Sequence, residues 1–234
     1  MQFIDKVGVE IEAGLIDTNL SYPLKDNWSV TNDGSISSYT HVAKELVSEP
    51  FPIKSINKLF ADIKNIYSII GDINDSMGFH IHISFREKRH YMNLASLEFC
   101  KYFFNKLQSD NVLWSLIHAQ EQNRYRWASP EYKDCYQIDT QIAEYDKSEC
   151  RYKMLNFAYN QHRTIECRIF PAMESANEAI YAIKFYIKTV NQYLSDKLYK
   201  HIIQIQERLD KTPYIKYIRN EIIRTNKDGE NITI

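Results

Sequence analysis

Three segments of the chain alternate apolar and polar residues, and each carries two ionisable side chains two positions apart. The pairs are Glu10 with Glu12, His80 with His82, and Glu166 with Arg168. Because successive side chains of a β-strand point to opposite faces of its sheet, each pair lies on one face and its apolar neighbours lie on the other. This pattern predicts half-buried strands, each with one charged face.

A fourth strand is predicted at 44–49, and it adds Glu45 to the charged face. If the four strands share a sheet, carboxylates and imidazoles gather on that face, where partial burial raises the pKa of a carboxylate. Divalent cations remove this cost, and oxygen ligands with one or two imidazoles suit Mg²⁺ or Mn²⁺. The predicted metal ligands are Glu10, Glu12, Glu45, His80, His82 and Glu166. Since these carboxylates repel one another, we expect Glu10→Gln, Glu166→Gln and His80→Ala to leave the metal-free stability equal or improved.

Each of these signals has a simpler interpretation when it is taken alone. A single Glu-x-Glu strand is usually a solvated sheet face, and Glu166 with Arg168 could form a surface ion pair of little energetic value. The two histidines are equally compatible with solvated or hydrogen-bonded imidazoles. Recurrence on four segments, each with an apolar opposite face, favours the metal site.

The rest of the sequence predicts helices interleaved with further strands. Helical periodicity covers 55–70, 94–119 and 176–209, strands are predicted at 28–30, 154–159 and 164–170, and a hairpin turn of Asp-Gly type at 31–35. The polar stretch 121–150 is predicted to form loops. This order predicts an α+β fold with a mostly antiparallel sheet and helices packed on one face.

Length and composition exclude several classes of function. With 234 residues, the chain can form one full-sized core, and its net charge of −1 gives no general attraction to nucleic acid or to an anionic membrane. No apolar run approaches the ~20 residues that cross a bilayer. The N-terminus lacks a signal peptide pattern, and the four cysteines lack zinc-site spacing. We therefore expect a cytoplasmic protein with one domain at 1–212 and a tail at 213–234.

Seven short motifs occur in the order in which they occur in a known enzyme family. They are Gly8-Val9-Glu10-Ile11-Glu12, Asp33-Gly34-Ser35, Glu45-Leu46-Val47-Ser48-Glu49-Pro50, Gly78-Phe79-His80-Ile81-His82, Asn123-Arg124-Tyr125, Arg151-Tyr152 with Asn156, and Thr164-Ile165-Glu166-Cys167-Arg168. Over residues 7–190 the chain resembles the amidoligase family, a branch of the glutamine synthetase and glutamate–cysteine ligase group of carboxylate–amine ligases.

The resemblance implies a curved sheet like the catalytic domain of glutamine synthetase, which holds ATP and Mg²⁺ or Mn²⁺ ions. Glu10 and Glu12 would each bind a metal and take part in catalysis. Glu45, Glu166, and His80 or His82 would complete the metal ligands. Arg168 would contact the phosphates of ATP, and Arg151 and Asn156 resemble phosphate- or substrate-contacting positions, with Arg124 similarly placed. Arg168 and Arg151 would also take part in catalysis by adding fixed positive charge. Asp33 and Ser35 match a pair with a substrate-binding or turn-forming role.

The implied reaction joins a carboxylate substrate to an amine substrate. The carboxylate attacks the γ-phosphorus of ATP, and the amine then displaces phosphate from the acyl phosphate. Neither GxxxxGK[ST] nor GxGxxG occurs, so any ATP is held without the usual glycine-rich loops. Two alternatives remain open: a metal-dependent hydrolase that uses the same residues, and a catalytically inactive ATP- and metal-binding module. The sequence names neither the two substrates nor the general base nor the oligomeric state.

Overall fold

A computed structural model describes residues 2–19, 24–119, 153–157 and 163–211 of the protein. The strands of this part are β1 Ile4–Leu15, β2 Trp28–Thr31, β3 Val42–Ser48, β4 Phe51–Pro52, β5 Ile70–Asp72, β6 Gly78–Phe85, β7 Leu155–Asn156 and β8 Thr164–Pro171. Its α-helices are α1 Ile56–Ile66, α2 Lys88–Leu94, α3 Leu97–Gln108, α4 Asn111–Ala119 and α5 Ala176–Lys211. Short 3₁₀ turns occupy Leu24–Asp26 and Ile53–Ser55.

The strands form one open, curved sheet in which every pair is antiparallel. Six strands follow the order β2-β3-β1-β6-β8-β7, and the short strands β4 and β5 pair with the two ends of β1. The prediction of an α+β fold with a mostly antiparallel sheet is confirmed. The likeness to the catalytic domain of glutamine synthetase stays a prediction.

The apolar side chains of the central strands lie on one face and are buried. They are Val7, Val9, Ile11, Phe79, Ile81, Ile83, Ile165, Cys167 and Phe170. Aromatic residues of α3 and α5 pack together in the same core, and the hydroxyl of Tyr186 donates to the backbone oxygen of Ile165 (3.5 Å). Burial stabilises the fold by roughly 1.5–3 kcal/mol for each large side chain. A shift of register by one residue would expose this set, so the core also fixes which residues lie on the opposite face.

The loop between β2 and β3 differs from the predicted Asp-Gly turn. It spans residues 32–41, and the Asp33 carboxylate accepts hydrogen bonds from the backbone N–H (2.8 Å) and hydroxyl (2.7 Å) of Ser35. Further along, the Ser38 hydroxyl donates to Asp72 (2.8 Å). A Cβ atom added to Gly14 would lie 1.8 Å from the nearer oxygen of Asp72, so only glycine permits this approach. Residues 32–35 therefore begin a longer anchored loop, and Thr31 is the last residue of β2.

The helical stretch predicted at 94–119 is divided into two helices, and the preceding helix α2 ends at Leu94. The Ser96 hydroxyl accepts a hydrogen bond from Phe99 N–H (3.2 Å), and the Asp110 carboxylate accepts one from Leu113 N–H (3.1 Å). Such N-cap bonds satisfy backbone donors at a helix start, which explains why new helices begin after these residues. The last predicted helix is continuous, as α5.

The chain divides into two compact units, residues 1–193 and 194–234. The first contains the sheet and α1 to α4, together with the start of α5. Of the second unit, the described part is the remainder of α5, where Leu198 and Ile202 are exposed. The predicted boundary at residue 212 stays a prediction, and the tail at 213–234 and the loops at 121–150 lie outside the described residues. None of the described helices combines the length and apolarity needed to cross a membrane.

Candidate metal centre

Strand register brings the predicted metal ligands together on the face opposite the apolar core. Glu10 of β1 pairs with His80 of β6, and Glu12 pairs with Glu45 of β3. On the other side of β6, His82 pairs with Glu166 of β8. All six predicted ligands thus occupy neighbouring positions on four adjacent strands, in the order β3, β1, β6 and β8. A two-residue period on each strand is sufficient to produce this convergence.

Glu10, His80 and Glu166 form the first cluster that could hold an ion. His80 Nδ1 lies 3.0 Å from Glu10 Oε2 and 3.6 Å from Glu166 Oε1. One ligand atom from each of the three residues lies within 4.8 Å of the other two. His80 is 1% exposed and Glu166 is 7% exposed, so both are buried beneath the surface of the sheet. A cation bound here would be largely screened from solvent.

Glu12, Glu45 and His80 form the second cluster, and its ligand atoms also lie within 4.8 Å of one another. His80 Nε2 lies 3.8 Å from Glu12 Oε1. The buried imidazole therefore faces the first cluster with Nδ1 and the second with Nε2. Both clusters depend on His80, which occupies the centre of the site.

His82 and Arg168 supply positive charge beside the first cluster. His82 Nε2 lies 3.0 Å from Glu10 Oε1 and 4.0 Å from Glu166 Oε1. The Arg168 guanidinium contacts Glu166 Oε1 directly. Strand β8 contains one more residue than β6 between the pairs Phe79–Phe170 and Ile81–Cys167, which places a β-bulge next to Arg168. This end of the site thus carries cationic side chains of its own.

Asn156 of β7 also binds Glu166 in this structure. Its Nδ2 donates to Glu166 Oε2 (2.9 Å), so the two carboxylate oxygens of Glu166 have different partners. Both Asn156 and Arg168, which the resemblance assigned to nucleotide binding, are thus in contact with a predicted metal ligand. Arg124 and Arg151, assigned to the same role, lie outside the described residues.

The pKa shifts show that the carboxylates at one end of the site have cationic partners, whereas Glu45 at the other end does not. Burial acts to raise the pKa of Glu10, but hydrogen bonds and charge from His80 and His82 outweigh it and hold the pKa well below its usual range. Burial likewise opposes ionisation of Glu166, yet Arg168 and the two histidines lower its pKa. The pKa of His82 is raised, because Glu10 and Glu166 overcome the effect of burial. These carboxylates already have cationic partners.

Glu45 shows the opposite behaviour. Burial and the negative charge of Glu10 raise the pKa of Glu45 to about 7, although a hydrogen bond from Thr31 partly offsets them. The predicted mutual repulsion of carboxylates is therefore present at Glu45 and is compensated at Glu10 and Glu166. The expectation that Glu10→Gln and Glu166→Gln leave stability unchanged or higher needs correction, since each would remove the partner of a half-buried or buried cation.

Thr31 is a residue of the site that the sequence did not reveal. It pairs with Glu45 in the register of β2 and β3, and its hydroxyl donates to Glu45 Oε2 (3.0 Å). A threonine on a short strand is too common to mark a site, and the sequence held no further signal. Ser35 and Asp33 bind each other within the loop, which agrees with the turn-forming alternative for this pair.

The donor set fits a hard divalent cation. Each cluster offers two carboxylates and one imidazole, and carboxylate oxygens with few nitrogens are the ligands that Mg²⁺ and Mn²⁺ prefer. Both free cysteines of the described part, Cys100 and Cys167, are buried and belong to neither cluster. A thiolate-rich zinc site is therefore absent from this part of the chain.

Comparison with protein families adds independent information. A family model described as "Putative amidoligase enzyme" matches residues 5–190, a span that contains both clusters and most of the described part. Among curated proteins and solved structures, no match is found. The matched span covers well over half of the chain and agrees with the family that the seven motifs resemble. The chain belongs to the amidoligase family.

Proposed function

We propose that the protein is an ATP-dependent carboxylate–amine ligase that binds divalent cations on the polar face of its sheet. The observation that carries the proposal is the pair of three-residue clusters that share the buried His80, with Arg168 beside them. Membership of the amidoligase family supports formation of an amide bond. The use of ATP, the bound metals and the acyl phosphate intermediate are proposed in addition to amide-bond formation.

Two ion sites follow from the clusters. Glu10, His80 and Glu166 would hold one Mg²⁺ or Mn²⁺ ion, and Glu12 and Glu45 would hold another, with His80 between them. His82 would assist at the first site. Bound at a triphosphate, such ions neutralise charge on the phosphate oxygens and fix their geometry.

The proposed reaction has two steps. A carboxylate oxygen of the first substrate attacks the γ-phosphorus of ATP, the bond to the β,γ-bridging oxygen breaks, and ADP leaves. The amine then attacks the acyl carbon, inorganic phosphate leaves, and one amine proton is lost. The residues of this chain contribute mainly charge and position, which is the main requirement of phosphoryl transfer.

Arg168 is the residue that we assign to the phosphates in the described part. Its side chain is 16% exposed and lies against Glu166, so it can reach an anion bound over the first cluster while its partner stays in place. Arg151, Arg124 and Asn156 are proposed as additional nucleotide or substrate contacts on the basis of the family resemblance. Arginine suits such a position because its planar fork of donors matches phosphate oxygens.

A trapping experiment tests the reaction and its order. Hydroxylamine intercepts an acyl phosphate as a stable hydroxamate, so we expect hydroxamate and ADP to appear only when ATP, Mg²⁺ and an accepted carboxylate are present. The experiment screens amino acids and short peptides as carboxylates. Glu12→Gln should abolish the signal, and Glu49→Gln is the matched control, because Glu49 is an exposed carboxylate just beyond the end of β3.

The same experiment separates the competing functions. A metal-dependent hydrolase would cleave amide or ester substrates without ATP and would form no hydroxamate. An inactive binding module would show stabilisation by Mn²⁺ with a nonhydrolysable ATP analogue but no ADP release. Absence of both ADP release and nucleotide-dependent stabilisation across the whole panel would refute the ligase proposal.

A further inference from the structure

Among the strands that the structure describes, the outermost are β2 and β7, and they make equivalent contacts on opposite sides of the site. β2 lies beside β3, and β7 lies beside β8, at the two ends of the strand order. Thr31 of β2 pairs directly with Glu45, and Asn156 of β7 pairs directly with Glu166. The carboxylate nearest each edge of the sheet therefore has one polar residue of the edge strand opposite it.

In both places the edge residue donates a hydrogen bond to the carboxylate. The Thr31 hydroxyl lies 3.0 Å from Glu45 Oε2, and Asn156 Nδ2 lies 2.9 Å from Glu166 Oε2. A donor at one oxygen fixes the rotation of the carboxylate and leaves the other oxygen for the centre of the site. For Glu166, that other oxygen is Oε1, which faces His80, His82 and Arg168.

We propose that Thr31 and Asn156 are positioning residues, each of which holds the outer carboxylate of one ion site in its ligating orientation. The inference rests on the proposed function only in requiring that the two clusters bind divalent cations. It gives the edge strands a specific role: Thr31 serves the cluster of Glu12 and Glu45, whereas Asn156 serves the cluster of Glu10 and Glu166. It also gives Asn156 the role of orienting the proposed metal ligand Glu166, whether or not Asn156 also contacts the nucleotide.

The size of the expected effect follows from the behaviour of metal sites in general. A ligating carboxylate that loses its outer hydrogen bond samples other rotamers, and such losses lower metal affinity by roughly 10–100-fold. Thr31→Val removes the hydroxyl and keeps the branched shape that strands favour. Asn156→Ala removes the amide. Each change leaves every proposed ligand in place.

The test is the affinity for Mn²⁺ alone, measured by calorimetry and by the electron paramagnetic resonance signal of free Mn²⁺. We expect Thr31→Val and Asn156→Ala each to weaken one class of Mn²⁺ site by 10-fold or more and to leave the other class within 3-fold of the unmodified protein. Thr31→Ser retains the hydroxyl, so it should restore the affinity. Recovery by serine is a result that a loss of packing would not give.

Ser29→Ala is the matched control for the edge strand. Ser29 also lies on β2, but its hydroxyl donates to the backbone oxygen of Val47 (3.5 Å) and to no proposed ligand. We expect it to bind Mn²⁺ as the unmodified protein does. Thermal unfolding of each variant shows whether it is folded, and the Thr31 series stands independently if Asn156→Ala does not fold.

The outcomes distinguish this inference from the function on which it rests. If the unmodified protein binds no Mn²⁺, the proposed metal-dependent function is wrong. If it binds Mn²⁺ and both Thr31→Val and Asn156→Ala bind equally well, the positioning role alone is wrong. An equal loss in Ser29→Ala, or the failure of Thr31→Ser to recover, would also overturn it.

Discussion

Replacing Glu45 by glutamine should stabilise the metal-free protein at alkaline pH and have little effect in acid. Burial and the charge of Glu10 raise the pKa of Glu45 from its ordinary value of 4.5 to about 7. A raised folded-state pKa contributes stability that is fully present below pH 4.5 and is lost as the pH rises through 7. Glutamine resembles the protonated form and carries no charge, so the variant escapes this loss.

The magnitude follows from the shift and from the exposure of the side chain. Each unit of difference between the folded and unfolded pKa changes the free energy of unfolding by 1.36 kcal/mol, which gives about 3 kcal/mol for a fully enclosed group. Glu45 is only half-buried, and solvent screening reduces this figure, so we expect about 1–2 kcal/mol. The gain of Glu45→Gln over the unmodified protein should thus grow from near zero at pH 4.5 to about 1–2 kcal/mol at pH 8.

Urea unfolding in the presence of a chelator measures the free energy of unfolding at both pH values. Glu49→Gln is the control, because Glu49 is exposed and its replacement should give no pH-dependent difference. Saturating Mg²⁺ should reverse the order at pH 8, since the unmodified protein gains binding energy that the variant has lost. A stability difference that is constant from pH 4.5 to 8, or that favours glutamate at pH 8 without metal, would refute the reasoning.

Three further predictions follow from the same geometry. Glu166→Gln should lower the metal-free stability by roughly 1–3 kcal/mol at pH 7, because it removes the charge of a buried carboxylate that contacts Arg168 and both histidines. Because the folded pKa of Glu166 is lowered, the loss should shrink as the pH falls below 4.5, and urea unfolding at pH 3 and 7 compares the two. His80→Ala should weaken the binding of Mn²⁺ at least 10-fold, because His80 borders both clusters and can give the lone pair of its neutral imidazole to one ion; calorimetry that shows an unchanged affinity would exclude His80 as a ligand. Gly14→Ala should destabilise the protein by more than 1 kcal/mol, because the added Cβ meets Asp72, and an unchanged melting temperature would contradict the anchored loop.

The polar face of the sheet could be predicted from the sequence because it depends on a local rule. Glu10 with Glu12 and His80 with His82 each occupy one face of a strand whatever the strand pairs with. The half-buried strand predicted to carry His80 and His82 is β6, Gly78–Phe85, and its buried apolar neighbours account for that agreement. Local periodicity was sufficient wherever a strand was long enough to show it.

Long-range pairing determined what the sequence could not show. Thr31 lies on a strand of four residues, which is too short for a period to mark its polar face; the family resemblance singled out Asn156, but not its contact with Glu166. Their importance arises only from register, since each lies opposite a carboxylate that is distant along the chain or beyond a turn. The starts of α3 and α4 were missed for a different reason: Ser96 and Asp110 interrupt a sequence whose apolar spacing continues through them.

The distribution of charge explains how a sheet can keep so many ionisable groups on one face. Glu10 and Glu166 are neutralised by His82 and Arg168, so their end of the site is stable without an added ion. Glu12 and Glu45 have no comparable cationic side chain among the contacts of the described residues except His80. Burial and the charge of Glu10 therefore leave the pKa of Glu45 raised. A cation that binds there removes an existing repulsion, whereas one that binds at the first cluster must compete with protein cations already in place. Both clusters therefore include His80, but they differ in how much a bound cation lowers the electrostatic repulsion between carboxylates. This gain is greater at the cluster that contains Glu45.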